Sequence, residues 1–262
     1  MPSTSNEEVY VPFSAGQFGV DHRRPIGIER DFKFLKGANF QPGAGVSFFD
    51  DFLGDLVGDA WAVDADTGCS GAITAAKLGT LRLTTDTTDN DRVTAAHELN
   101  WAAELGLVAE FRVKVDAITA VGIFVGFSDA KAEAAQTQPI EGSGSSDGVT
   151  TTATDAVGFL FDTDMSTDQW HGIGVKGNTD GTLASSFGAP VAATYQILRL
   201  AVGSDETAYF WVDGTFKGSV ASAVTGTVAL TPIISVQNRS GTARNLDIDY
   251  AWVVARDRTL IS

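Results

Sequence analysis

Alternation of apolar and polar residues is the strongest signal in this chain. In Glu110–Asp116, Phe111, Val113 and Val115 alternate with Glu110, Arg112, Lys114 and Asp116. That is the two-residue period of a strand with one buried face. Leu198, Leu200 and Val202 repeat it, as do Leu246, Ile248, Tyr250, Trp252 and Val254, with Asp247 and Asp249 opposite. Val121–Phe127 is apolar throughout and reads as a central strand buried on both faces. Shorter apolar runs follow at Val157–Phe161, Ile173–Val175, Ala208–Val212 and Ile233–Val236. Asp180-Gly181, Asp213-Gly214 and Ser240-Gly241 supply turns between such runs. Val93–Leu105 fits a helical period in part, but its β-rich flanks favour a strand or strand pair. Glu133–Thr154 is poor in apolar residues and rich in Gly, Ser and Thr, so a long surface loop is expected there. The pattern predicts an all-β fold, an antiparallel sandwich built from many short strands.

The pattern begins at Val46. Residues 1–45 carry two short apolar clusters, Val9–Phe13 and Phe32–Phe40, joined by a basic patch at His22–Arg24 and Arg30. This stretch is too short and too rich in turn residues to bury a core alone. It is expected to be an extended arm ahead of a sandwich domain at 46–262, ordered by packing on that domain or on a partner. Lys and Arg number five in the arm, as do Asp and Glu, so residues 46–262 carry the whole net charge of -15. An acidic surface repels phosphate backbones, so no nucleic-acid partner is expected. Nothing approaches the roughly 18 apolar residues of a membrane span. Met1–Glu8 is polar, unlike a secretory leader, so synthesis in the host cytoplasm is expected. The lone cysteine, Cys69, rules out an intrachain disulfide.

Three stretches together resemble a known superfamily. They are Phe48–Leu53 (FFDDFL), Asp155–Val175 (DAVGFLFDTDMSTDQWHGIGV), and Tyr209–Gly214 (YFWVDG) with the last strand Leu246–Val254 (LDIDYAWVV). Their order resembles the concanavalin A-like lectin/glucanase sandwiches, in the versions found in phage structural proteins. The likeness covers Val46 to the C-terminus and implies a jelly roll of two curved antiparallel sheets.

Glycosidases need two carboxylates at the scissile bond. The glucanases of this superfamily carry them as Glu-x-Asp-x-x-Glu or Glu-x-Asp-x-Glu, and neither pattern is present. Asp247-x-Asp249 lacks the glutamate and reads as a solvated strand face. There is no zinc spacing, nucleophile elbow or phosphate loop. No enzymatic activity, no catalytic residue and no obligatory cofactor are therefore expected. Asp162, Asp164 and Asp168 form an oxygen-rich turn that suits either a calcium ion or an ordinary acidic turn. Trp170, beside His171 and just past that turn, is a candidate platform for a sugar. Trp211 and Trp252 are assigned to the core or to a sheet face, and Trp61 and Trp101 are unassigned.

The resemblance implies a virion protein, a homo-oligomer with a trimer as the first guess, that decorates or reinforces a phage capsid. Its arm would bind the major capsid protein through Tyr10, Phe13, Phe18, Arg23, Arg24, Arg30 and Phe34. The alternative is a carbohydrate-binding or receptor-binding module of a phage tail or fibre, and last in order comes a glycan hydrolase.

Overall fold

A computed structural model describes residues 46–54, 57, 60–74, 79–98, 101–144, 146–184 and 187–255. Strands are numbered β1 to β17 along the chain. One sheet, A, runs β15 (Thr215–Val220), β14 (Ala208–Val212), β13 (Gln196–Val202), β6 (Leu107–Val115), β17 (Asn245–Ala255), β4 (Leu81–Thr84) and β3 (Ser70–Ile73). β1 (Val46–Asp50) also pairs with β17. The other sheet, B, runs β12 (Thr179–Asp180), β11 (His171–Lys176), β10 (Ala156–Asp162), β7 (Val121–Ser128), β16 (Thr231–Asn238), β5 (Arg92–Ala96) and β2 (Ala62–Ala65). A separate hairpin pairs β8 (Ile140–Ser143) with β9 (Gly148–Thr151). All pairings are antiparallel, and the described residues contain no α-helix. The expected all-β sandwich is the observed one. No helix among the described residues is long and apolar enough to cross a membrane.

The core lies between the sheets. Phe111, Val113 and Val115 of β6 meet Ile123, Val125 and Phe127 of β7 there, with Phe159, Phe161, Leu198, Leu200, Phe210, Ile234 and Val236. β7 sits between β10 and β16 with all eight residues buried, as its apolar run predicts. Val93–Leu105 resolves into β5 and, at its end, a short 3-10 turn over Ala103–Leu105, closed by Gly106 at φ 67°.

Two expectations are corrected. The first concerns the last strand. A bulge between Ile248 and Tyr250 inserts one residue against β6. Because side chains alternate, one extra residue reverses every position after it. Leu246 and Ile248 face the core, but so do Ala251 and Val253, while Tyr250, Trp252 and Val254 turn to the outer face. The second concerns Glu133–Thr154, which is not a plain surface loop. It contains the β8–β9 hairpin, which packs on the outer face of sheet B. There Ile140 and Ala153, with Met165, meet Phe124, Leu160, Ile173 and Ile233 in a second apolar cluster. The hairpin fits closely because Gly142 has no side chain. A Cβ there would lie 2.4 Å from Met165 and 2.5 Å from Asp162.

Candidate functional site

Of the residues singled out in the acidic turn, Asp162 and Asp164 both meet the Arg239 guanidinium. Asp162 is fully buried at the end of β10. Its Oδ1 accepts from Arg239 Nε at 3.0 Å and its Oδ2 from Gly142 N at 2.9 Å, with Arg239 Nη2 also on Oδ2. Asp168 points to solvent, and Asp164, half open to solvent, sets its Oδ2 3.6 Å from Arg239 Nε. Asp162 thus serves as counter-charge to a buried guanidinium, which leaves its oxygens committed. Among the described residues, the group with metal-type spacing is Cys69, Asp86 and Asp91. Each is already engaged: Cys69 Sγ by Asp86 N, Asp86 by Thr88, and Asp91 by Gln136 Nε2 at 2.7 Å.

Trp170 is 1% exposed. It packs against Phe159 and Phe161 and donates from Nε1 to Gln196 Oε1 at 3.1 Å. His171 is fully buried on the outer side of sheet B, with Nε2 3.3 Å from Thr167 O. Neither presents a surface to a sugar in this conformation. The aromatic and basic residues of the arm, Tyr10 through Phe34, lie outside the described residues. Trp61 and Trp101 both belong to the core.

Burial pushes the His171 imidazole below its ordinary value. The unfolded chain therefore takes up a proton first as pH falls below about 6.5. The contribution of neutral His171 to stability is full above that pH and is lost as pH falls toward the folded value. His97 is lowered for the same reason and adds to the same window. His171→Gln should lose less of its urea midpoint between pH 7.5 and pH 5.5 than the wild type. An identical loss in both proteins would contradict this.

Among the described residues, the outer face of sheet A carries the two aromatic side chains most open to solvent, Phe49 and Phe216. Cross-strand register lines up Phe49, Trp252, Glu110, Arg199, Trp211 and Phe216 in one row across β1, β17, β6, β13, β14 and β15. At the β14–β15 end, Tyr209 and Trp211 share a face because they are two residues apart on one strand. Their ring centres are 6.4 Å apart. A register shift between Phe210 and Trp211 sets Phe216 opposite Trp211, with ring centres 5.5 Å apart. Phe216 is 53% exposed, and Tyr209 and Trp211 are half-buried. The Arg199 guanidinium lies 5.2 Å from the Trp211 ring centre. Nearby, Arg112 and Lys114 lie 4.1 and 4.7 Å from the Tyr195 ring centre.

The acids of the last strand are paired on this same face. Arg112 Nη1 meets Asp249 at 2.6 Å, while Asp247 takes Arg82 Nε at 2.6 Å and Lys114 Nζ at 2.9 Å. Burial alone raises the Asp247 carboxyl, but the hydrogen bonds from Arg82 and Lys114 outweigh it and hold Asp247 below the ordinary carboxylate range. The face therefore joins three neighbouring rings to a compensated ladder of charges, a surface suited to a ligand with both apolar and hydroxyl groups.

No protein-family model matches the sequence, and no curated protein matches it. Solved structures do match in shape. The carbohydrate recognition domain of Emp47p superposes with a TM-score of 0.56 at 10% identity, over 81% of this chain and 97% of that one. Peanut lectin gives 0.54 at 18% identity, over 80% of this chain and 97% of its own. This chain has the concanavalin A-like lectin/glucanase fold. The beta-glucanase of Bacillus licheniformis gives 0.51 at 15% identity, over 83% of this chain and 100% of that one.

That last likeness corrects the expectation of no enzymatic activity. The expectation rested on a missing carboxylate motif, but one and the same concanavalin A-like sandwich serves a lectin and a glucanase. The fold leaves both open, and the absence of that carboxylate motif does not decide between them. The phage-structural and capsid parts of the resemblance gain no support from these likenesses, which extend to the sandwich fold alone.

Proposed function

We propose that the protein is a carbohydrate-binding module that holds a glycan along Tyr209, Trp211 and Phe216. The observation that carries this reading is the run of three adjacent rings on the β14–β15 hairpin, ending in a half-exposed phenylalanine. One face of a pyranose is lined by C–H groups and is apolar, while its rim carries hydroxyls. Such a face stacks on the electron-rich face of an aromatic ring, and the rim needs polar neighbours. Here Lys217, partly exposed, follows Phe216 directly on β15. The fold adds support, because two of the proteins it resembles are named as a lectin and a carbohydrate recognition domain.

The capsid-decoration reading has no comparable support. The arm residues it depends on lie outside the described residues, and no observation on the sandwich favours a shell protein as partner. The test of the proposal is a glycan array probed with the full-length protein. Saturable binding to a related set of polysaccharides, competed by the soluble sugar, is expected. Uniform background across the array would overturn the proposal.

A further inference from the structure

The three rings of the β14–β15 hairpin stand at a corner. Tyr209 and Trp211 follow one another along β14, with ring centres 6.4 Å apart. Phe216 is reached from Trp211 across the strands, as its partner on β15, with ring centres 5.5 Å apart. The strand direction and the pairing direction of an antiparallel sheet are perpendicular, so the path Tyr209–Trp211–Phe216 bends at Trp211. The ring planes turn as well, by 38° between Tyr209 and Trp211 and by 60° between Trp211 and Phe216. The corner is a product of the register shift. Tyr209 faces Ser219 and Phe210 faces Gly218, so an unshifted ladder would bring Lys217, not Phe216, opposite Trp211. Ser219 is exposed and sits in the angle of the corner, on the same face as its partner Tyr209. Among the described residues, β15 is the outermost strand at this border of sheet A.

The shape of a pyranose chain is set by its linkages. Where both bonds leave each ring equatorially from opposite positions, the chain is a straight ribbon. Where one bond is axial, or the two leave from positions that are not opposite, every linkage turns the next ring and the chain winds. A straight ribbon lying over Trp211 covers Tyr209 or Phe216, but not both, because they lie in different directions from it. A flat crystal face of such ribbons meets only one of the three planes. Each ring left uncovered forfeits the apolar area that binding would have taken from water. A winding chain sets consecutive sugar faces on all three rings, with Ser219 beside the hydroxyl rim inside the bend.

We infer that the ligand of the glycan site proposed above is a curved, unbranched polysaccharide, held as a single chain over three consecutive sugar units; this depends on that site binding glycan at all. The chain runs out past Phe216 over the border of the sheet, so the site takes internal segments and needs no chain end.

The test is a calorimetric titration of the full-length protein with unbranched oligosaccharides of matched length. Cellohexaose and β-linked mannohexaose are straight, while maltohexaose and laminarihexaose are curved. A branched gluco-oligosaccharide of the same size completes the set. The better curved chain should bind roughly tenfold or more tightly than either straight one. Its affinity should rise from disaccharide to trisaccharide and then level off. In Tyr209→Ala the preference should vanish, because a straight chain also covers the two rings that remain. Any other polysaccharide bound on the array counts by its linkages in the same way. A straight or branched chain that binds as tightly as the curved ones, or full affinity for a single sugar, would overturn the curved-chain inference and leave glycan binding standing. No binding to any oligosaccharide or polysaccharide would overturn both.

Discussion

Arg239→Ala should lower the unfolding free energy by roughly 3–5 kcal/mol, the usual consequence of removing one partner from a buried ion pair. Asp162 is fully buried, and its carboxylate is compensated by Arg239. Without the guanidinium, a charge remains in a place water does not reach. The loss extends further, because Asp162 also accepts from Gly142 N and so ties the β8–β9 hairpin to sheet B. Asn90 Oδ1 loses its donor, Arg239 Nη1, at 2.9 Å. The double variant Asp162→Asn with Arg239→Gln should be less destabilised than Arg239→Ala, since it removes both charges together. Urea unfolding of the three proteins checks this. A single variant within about 0.5 kcal/mol of wild type, the range of ordinary surface changes, would show that the pair does not anchor the hairpin.

Phe216→Ala should weaken glycan binding at least tenfold, about 1.4 kcal/mol, while leaving stability nearly unchanged. The ring is half open to water, so its removal takes little from the core. Its worth lies in the complex, where a sugar face covers it. Trp211→Ala should weaken binding as much or more, but it also removes a member of the outer apolar cluster and should reduce stability. The two variants therefore separate recognition from packing.

Much of the fold was legible because it rests on alternation. β6 and β13 were read in the right phase, and β7 was read as buried on both faces, since each pattern reports directly on a local environment. The second half of β17 was not. Tyr250, Trp252 and Val254 continue the alternation of Leu246 and Ile248 without a break, and Ala251 and Val253 are apolar too. With apolar residues on both faces, no contrast betrays the bulge that reverses the phase. The β8–β9 hairpin was missed because its few apolar residues are decisive only against the apolar outer face of sheet B, a surface built from five other strands.

The candidate site divides in the same way. Tyr209 and Trp211 stand two apart in a strand, which puts both rings on one face, but the sequence left Trp211 between the core and a sheet face. The third ring is set by the register of β14 on β15, which the bulge shifts by one. Trp170 drew attention through its neighbours in sequence, the acids of the turn, but strand pairing carries its ring inward. Arg239, the partner that settles the role of Asp162, lies 77 residues away in the chain, where no local motif connects them.

The most direct test of the central claim is a calorimetric titration with the best polysaccharide from the array. It compares wild type, Phe216→Ala and Phe49→Ala. Phe49 is a useful control: it is exposed to nearly the same extent, on the same row, at the opposite end. Glycan binding on the β14–β15 hairpin predicts a tenfold or greater loss for Phe216→Ala and wild-type affinity for Phe49→Ala. Equal affinity in all three proteins would contradict it, and would place any glycan away from these rings.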